Sequence, residues 1–96
     1  MILHTLSASP ASSAFRDCLR IITPGDALLL LGDGVYAAIP GTPACDRLQA
    51  AGIEVHVLHS DAQAAGISEL TEIASRIDMD DFVVLTERFA RQQAWY

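Results

Sequence analysis

Residues 28–41 read LLLLGDGVYAAIPG. Four leucines run straight into Gly32-Asp33-Gly34, and a second apolar stretch, Val35–Ile39, comes at once. With Ala27 in front, the run Ala27–Leu31 is continuously apolar and has turn residues on both sides, Pro24-Gly25-Asp26 before it and Gly-Asp-Gly after it. Such a run suits a central strand of a parallel sheet, covered on both faces, since a strand with one wet face would alternate apolar and polar residues. Gly-Asp-Gly then either cradles an anion or turns the chain. It lacks the G-x-G-x-x-G pattern, and Asp33 would place negative charge where an anion must sit. The favoured reading is a tight strand-to-helix turn in which Asp33 caps the next helical segment. Val35, Tyr36, Ala37, Ala38 and Ile39 then form a short helix or turn stopped by Pro40-Gly41, and they become candidates for a docking patch.

Working outward, Ile2–Leu6 suits a short strand. Ser9 as N-cap and Pro10 at the first helical position predict a helix with an apolar stripe of Ala11, Ala14, Phe15, Cys18, Leu19 and Ile22. Thr42-Pro43 repeats the cap-then-proline signal for a helix to about Ala51, closed by Gly52. Ile53–His59 reads as a third strand, and Ser60 or Asp61 as the cap of a short helix ending near Gly66. Residues 67–75 are ambiguous, and a last short strand is expected within 73–78. Asp80 and Asp81 open a final helix with Phe82, Leu85 and Phe89 on one face and Arg88 and Arg91 in its last turn, a charge order that suits the helix dipole. Gln92–Tyr96 reads as a tail. The alternation of strands and helices predicts a single α/β domain over residues 1–96, a three-layer α/β/α arrangement on a small, mostly parallel, Rossmann-like sheet. Ligands in such folds bind at the carboxyl ends of strands, which places Ser7–Ser9, Gly32–Gly34 and His59–Asp61 on the functional edge.

The chain of 96 residues is 51% hydrophobic, rich for a small domain, yet no apolar run approaches the roughly 20 residues that span a bilayer. The N-terminus lacks a basic segment and a long apolar segment, so no signal peptide and no membrane association are expected. Surplus apolar surface without a membrane segment points to a subunit interface. The net charge is −6, and all six basic residues are arginines. This speaks against direct nucleic-acid binding, which needs a basic footprint. The absence of lysine excludes a P-loop and Schiff-base chemistry. The two cysteines, in a chain without a secretory signal, are expected to be reduced thiols in the cytosol.

Two thiols are the candidate chemical groups. Cys18 lies in the apolar stripe of the first helix, where spacing favours core packing and burial would raise its pKa. Cys45 falls in the first turn of the Thr42–Pro43 helix, where the helix dipole lowers a thiol pKa, although Asp46 alongside partly cancels this. His56 and His59, three apart on a strand, face opposite sides, and the cysteines lack metal-ligand spacing, so neither metal nor cofactor is expected. His59 is the histidine nearest a ligand edge. Asp78, Asp80 and Asp81 suit a cap and a solvated helix start. Trp95 and Tyr96, large aromatics at the end of a tail, either fold back or anchor a partner.

Taken in order, L-H-T-L at Leu3–Leu6, S-x-S-P at Ser7–Pro10, G-D-A-L-L-L-L-x-D-G-V-Y-A-A at Gly25–Ala38 and Q-Q-A-W at Gln92–Trp95 resemble the TusB/DsrH family of sulfur-relay subunits, and the resemblance covers essentially the whole chain. It implies a DsrEFH-like fold and a place as the smallest of three related subunits in a cytoplasmic heterohexamer with TusC/DsrF-like and TusD/DsrE-like partners. That complex takes persulfide sulfur from a donor and passes it to a downstream acceptor protein for 2-thiolation of the tRNA wobble uridine. In DsrH-like members it serves dissimilatory sulfur metabolism instead. The resemblance places the main sulfur-carrying cysteine on the TusD/DsrE-like partner. DsrH-type members carry a cysteine in the first helix at the place of Cys18, which makes Cys18 a candidate second persulfide carrier. A stand-alone thiol enzyme using Cys45 or Cys18, and a binder of a small anionic ligand at Gly32–Gly34, are the rival readings.

Overall fold

The four residues of β2 (Ala27–Leu30) are all buried, as a strand covered on both faces must be. The computed structural model describes residues 1–96. β2 lies in the middle of an all-parallel sheet with β1 (Ile2–Leu6), β3 (Glu54–Leu58), β4 (Ala74–Ile77) and β5 (Arg91–Trp95), in the order β4-β3-β2-β1-β5. Crossovers run through α1 (Ser13–Ile21), a 3-10 helix (Gly32–Ala38) and then α2 (Pro43–Ala51), α3 (His59–Ala64) and α4 (Met79–Arg88). None of these helices is long and apolar enough to cross a membrane.

The two faces of the sheet are covered unequally. Leu28 and Leu30 point into the larger core with Leu6, Phe15, Cys18, Val35, Leu48 and Val57, beneath α1, the 3-10 helix, α2 and α3. Ala27 and Leu29 point the other way, into a smaller core with Leu3, Ile77, Leu85 and Phe89, where α4 is the one covering helix. α4 presents Phe82, Leu85 and Phe89 to the sheet, the face its spacing predicts.

Gly32-Asp33-Gly34 turns the chain, but not through a side-chain cap. Leu31 leaves the ladder in extended conformation as N-cap of the 3-10 helix, and Asp33 caps nothing. Asp61, read as the cap of its own helix, instead accepts the Gly32 amide through Oδ2 at 2.8 Å. Gly34 sits where the turn crosses the end of β1. A Cβ there would collide with the Leu6 carbonyl oxygen, while one on Gly32 meets only ordinary contacts with Ser7. Gly32 instead has φ +52, a left-handed backbone that glycine adopts most easily. The approach carries Val35, Ala37 and Ala38 into the large core.

Other expectations shift by a turn or an element. The first helix starts at Ser13, with Ser12 rather than Ser9 as its cap. Ser9 closes a separate turn, its carbonyl accepting the Ser12 amide at 3.0 Å and the Ser12 hydroxyl at 2.7 Å, and Ser12 keeps extended dihedrals. The third strand ends at Leu58, so His59 opens α3. α4 begins at Met79, one residue earlier than the Asp80-Asp81 reading, because Asp78 and Asp81 cap each other's amides in a capping box. Thr42 and Pro43 start α2 as predicted, and Gly52 closes it at φ +63. The largest difference is at the end of the chain. Arg91–Trp95 is an edge strand paired in parallel with β1, from Ile2 opposite Arg91 to Leu6 opposite Trp95.

The Gly34 geometry makes a testable claim. Gly34→Ala lowers stability by about 1–3 kcal/mol or more through overpacking against backbone that cannot yield. Gly32→Ala costs about 1 kcal/mol, a backbone penalty alone. Urea-denaturation midpoints of the two variants, side by side, should show Gly34→Ala clearly the worse.

Candidate functional site

The carboxyl edge of the sheet holds the elements that the topology predicts there. A shallow cleft of about 250 Å³ is lined by Gly32, Asp33, Tyr36, Asp61, Ala64 and Ala65. Its charged side chains are both carboxylates, a lining hostile to a phosphate or any other anion. His59 does not join it. Its Nδ1 lies 3.2 Å from a guanidinium nitrogen of Arg76, which also donates to the Ser68 carbonyl. No group of three histidine, cysteine or carboxylate side chains is gathered in a way that could hold a metal ion. The ionisable side chains of the cleft are Asp33, Asp61 and Tyr36.

Both thiols lie inside the protein. Cys18 is fully buried in the large core, and burial pushes its pKa up to about 12. At neutral pH it is a protonated small hydrophobe, whereas thiol chemistry needs the thiolate. Cys45 occupies the third helical position, its amide donating to the Thr42 hydroxyl oxygen at 3.3 Å, with 1% of its surface exposed. Neither cysteine lines the cleft at Asp33 and Asp61. Both should therefore react with 5,5′-dithiobis(2-nitrobenzoate) at least on the order of a hundredfold more slowly in native protein than in urea. A fast native phase that disappears in Cys18→Ala would show an accessible Cys18.

A buried polar chain that sequence reasoning did not foresee joins three strands. Asp26, at the mouth of β2, accepts the Ile2 amide at 2.9 Å, the Thr23 amide at 3.1 Å and the Thr23 hydroxyl at 3.3 Å. Its Oδ2 lies 3.0 Å from Nε2 of the fully buried His4. The Trp95 indole N–H donates to His4 Nδ1 at 3.1 Å, with the two rings stacked at 6.2 Å. Indole nitrogen only donates, so Nδ1 accepts and the ring proton sits on Nε2, facing Asp26. Both histidine nitrogens are thus engaged inside the protein, and the group serves as a clip rather than a base. Burial opposes ionisation of Asp26, but the hydrogen bonds from His4, Ile2 and Thr23 outweigh it and hold the carboxyl at about 2.

Because the folded carboxyl lies below its unfolded value near 3.9, its contribution is complete above about pH 4 and is lost as pH falls toward 2. Asp26→Asn should be less stable than the parent at neutral pH. The gap should close across that acid window, as read from urea midpoints at stepped pH. A gap that is constant with pH would exclude an ionised Asp26.

Comparisons with known proteins complete the site. Residues 8–92 match the family model described as DsrH like protein. Protein TusB of Klebsiella pneumoniae strain 342 is 43% identical over 95 residues, 98% of this chain and 100% of that protein. Protein TusB of Salmonella enteritidis PT4 is 42% identical over the same shares. The chain belongs to the TusB/DsrH family. Among solved structures, the ychN protein from E. coli aligns with a TM-score of 0.75 over 97% of each chain at 16% identity, which shows the same fold.

In this DsrH-like chain the surface differs from the patch expected at residues 35–39. Val35, Ala37 and Ala38 are fully buried, because the 3-10 helix tucks them under Leu6, so they are core and not docking surface. Tyr36 stays exposed and Ile39 half-buried. Trp95 folds back onto His4, while Tyr96 stands 89% exposed. The apolar surface missed in the sequence is on α4. With Phe82, Leu85 and Phe89 turned to the sheet, Met79, Val83 and Val84 face outward, each more than half exposed. Beside them Arg88 donates to both oxygens of Glu54 at 2.7 and 2.8 Å, and His56 Nε2 lies 2.6 Å from the same carboxylate. Hydrogen bonds from Arg88 and then His56 keep Glu54 below the usual carboxylate range. Nδ1 of His56 is buried without a partner.

Proposed function

We propose that this chain is a structural subunit of a cytoplasmic sulfur-relay complex that delivers persulfide sulfur for 2-thiolation of the tRNA wobble uridine. The full-length identity of 41–43% to proteins named TusB favours the tRNA branch over dissimilatory sulfur metabolism. The observation that carries the structural role is the burial of both sulfurs. A relay cysteine attacks a sulfane sulfur as an accessible thiolate, and Cys18, held up to about 12 inside the core, is neither accessible nor ionised. The sulfur-carrying thiol therefore belongs to a TusD/DsrE-like partner, and this subunit completes the assembly with it and a TusC/DsrF-like subunit. Met79, Val83 and Val84 on α4, with Tyr36, Ile39 and Tyr96, supply the apolar contact that such an assembly requires.

Native mass spectrometry of the tagged chain, purified from its own cells under reducing conditions, should show a heterohexamer with two other small subunits. In cells lacking the chain, the 2-thiouridine content of hydrolysed tRNA should collapse. A Cys18→Ala, Cys45→Ala double variant should restore it to within about twofold, because neither sulfur handles cargo. A homogeneous monomer would overturn the assembly role. A soluble, assembled double variant that restores no thiolation would return the relay to one of these thiols.

A further inference from the structure

Between the entry to α1 and the first turn of α2 lies an open groove of about 470 Å³. Phe15, Tyr36, Ile39 and Pro43 give it an apolar lining, and Arg16 and Arg47 stand on its rim. Both arginines are exposed, and neither has a carboxylate partner. The arginine ion pairs lie elsewhere, Arg20 with Asp17 and Arg88 with Glu54. The charge distribution is the informative feature. The chain carries 12 acids against six arginines, yet no acid lines this groove, and two of the six arginines do. On the other side of Tyr36 the sign reverses, in the cleft bearing Asp33 and Asp61.

We propose that this groove seats a polypeptide segment of a sister subunit, one that places an apolar side chain against Tyr36 and Ile39 and acidic side chains against Arg16 and Arg47. The inference rests on the relay-subunit reading and adds to it the surface and the chemistry of the partner. Two unpaired guanidiniums favour carboxylates, which they grip in a planar fork. The apolar lining between them favours a polypeptide over a nucleic acid, because a backbone of phosphates has nothing to bury there and the chain's net charge of −6 repels it. An apolar centre with a charged rim is also the anatomy of a lasting protein interface.

The test uses the complex assembled with its TusC-like and TusD-like partners. A photo-crosslinking p-benzoylphenylalanine in place of Tyr36 should capture a sister-subunit peptide that contains an aspartate or glutamate close to an apolar residue. Charge reversal in an Arg16→Glu, Arg47→Glu double variant should weaken assembly at least about tenfold, with recovery when the captured acid is changed to arginine. Both arginines are exposed, so the melting temperature of the isolated variant should stay within about 3 °C of the parent. If the parent assembles and the double variant assembles equally well, the groove proposal falls and the relay reading stands. If the parent never assembles with these partners, both fall. Capture of RNA, or of a second copy of this chain through its own acidic, apolar α4, overturns the groove proposal and names its replacement.

Discussion

Four donors converge on one buried carboxylate at the start of the sheet. Asp26 is reached by the Ile2 amide, the Thr23 amide and hydroxyl, and the His4 ring. A carboxylate removed from water is tolerated only when its lone pairs are filled, and here they are. The consequence spreads outward. Fixing His4 toward Asp26 leaves Nδ1 as the acceptor that receives Trp95. That bond ties the polar segment Arg91–Trp95 to β1, and with it β1 becomes an interior strand flanked by β2 and β5. A segment with little apolar alternation thus becomes part of the sheet because a buried polar chain reaches out to its last residues.

The second constraint is steric and lies at the opposite end of the same strands. The backbone after β2 must cross the end of β1 closely enough that Gly34 has no room for a side chain. From there the 3-10 helix tucks Val35, Ala37 and Ala38 into the large core and leaves Tyr36 outside. The Ala38 carbonyl then accepts the Thr71 amide at 2.8 Å, anchoring the long approach to β4. Gly-Asp-Gly is a device for close packing of backbone, and its aspartate is left free at the surface.

How far the sequence foretold this depends on where the responsible interaction lies. β2, α2 and the inner face of α4 are set by local patterns, a continuous apolar run, a Thr-Pro start and a helical stripe, and each was legible. The cap of the first helix was not, because Ser9 and Ser12 offer the same chemistry three residues apart and only tertiary packing decides between them. β5 was missed because Arg91-Gln92-Gln93 has no strand periodicity, and its partner is 89 residues away, at Ile2 opposite Arg91. The candidate surfaces divide in the same way. The core-like spacing of Cys18 correctly foretold its burial, whereas the exposure of Val83 and Val84 depends on which side of α4 the sheet occupies. The groove at Arg16 and Arg47 joins residues from two helices, and no local pattern announces it.

The distribution of chemistry over this chain is one-sided. Its two sulfurs and its fully buried histidine His4 are enclosed, where they pack or clip, and the cleft at Asp33 and Asp61 is acidic. The surface carries instead a run of apolar residues on the single helix that covers the thinner face, and an apolar groove framed by unpaired arginines. Exposing apolar and unpaired charged groups is unfavourable for a protein that works alone, since it invites association. The same arrangement is coherent in a subunit whose neighbours cover those surfaces. In that setting the rigidity supplied by Asp26 and Gly34 has a purpose, because a neighbouring subunit is positioned only as well as the surface against which it is held.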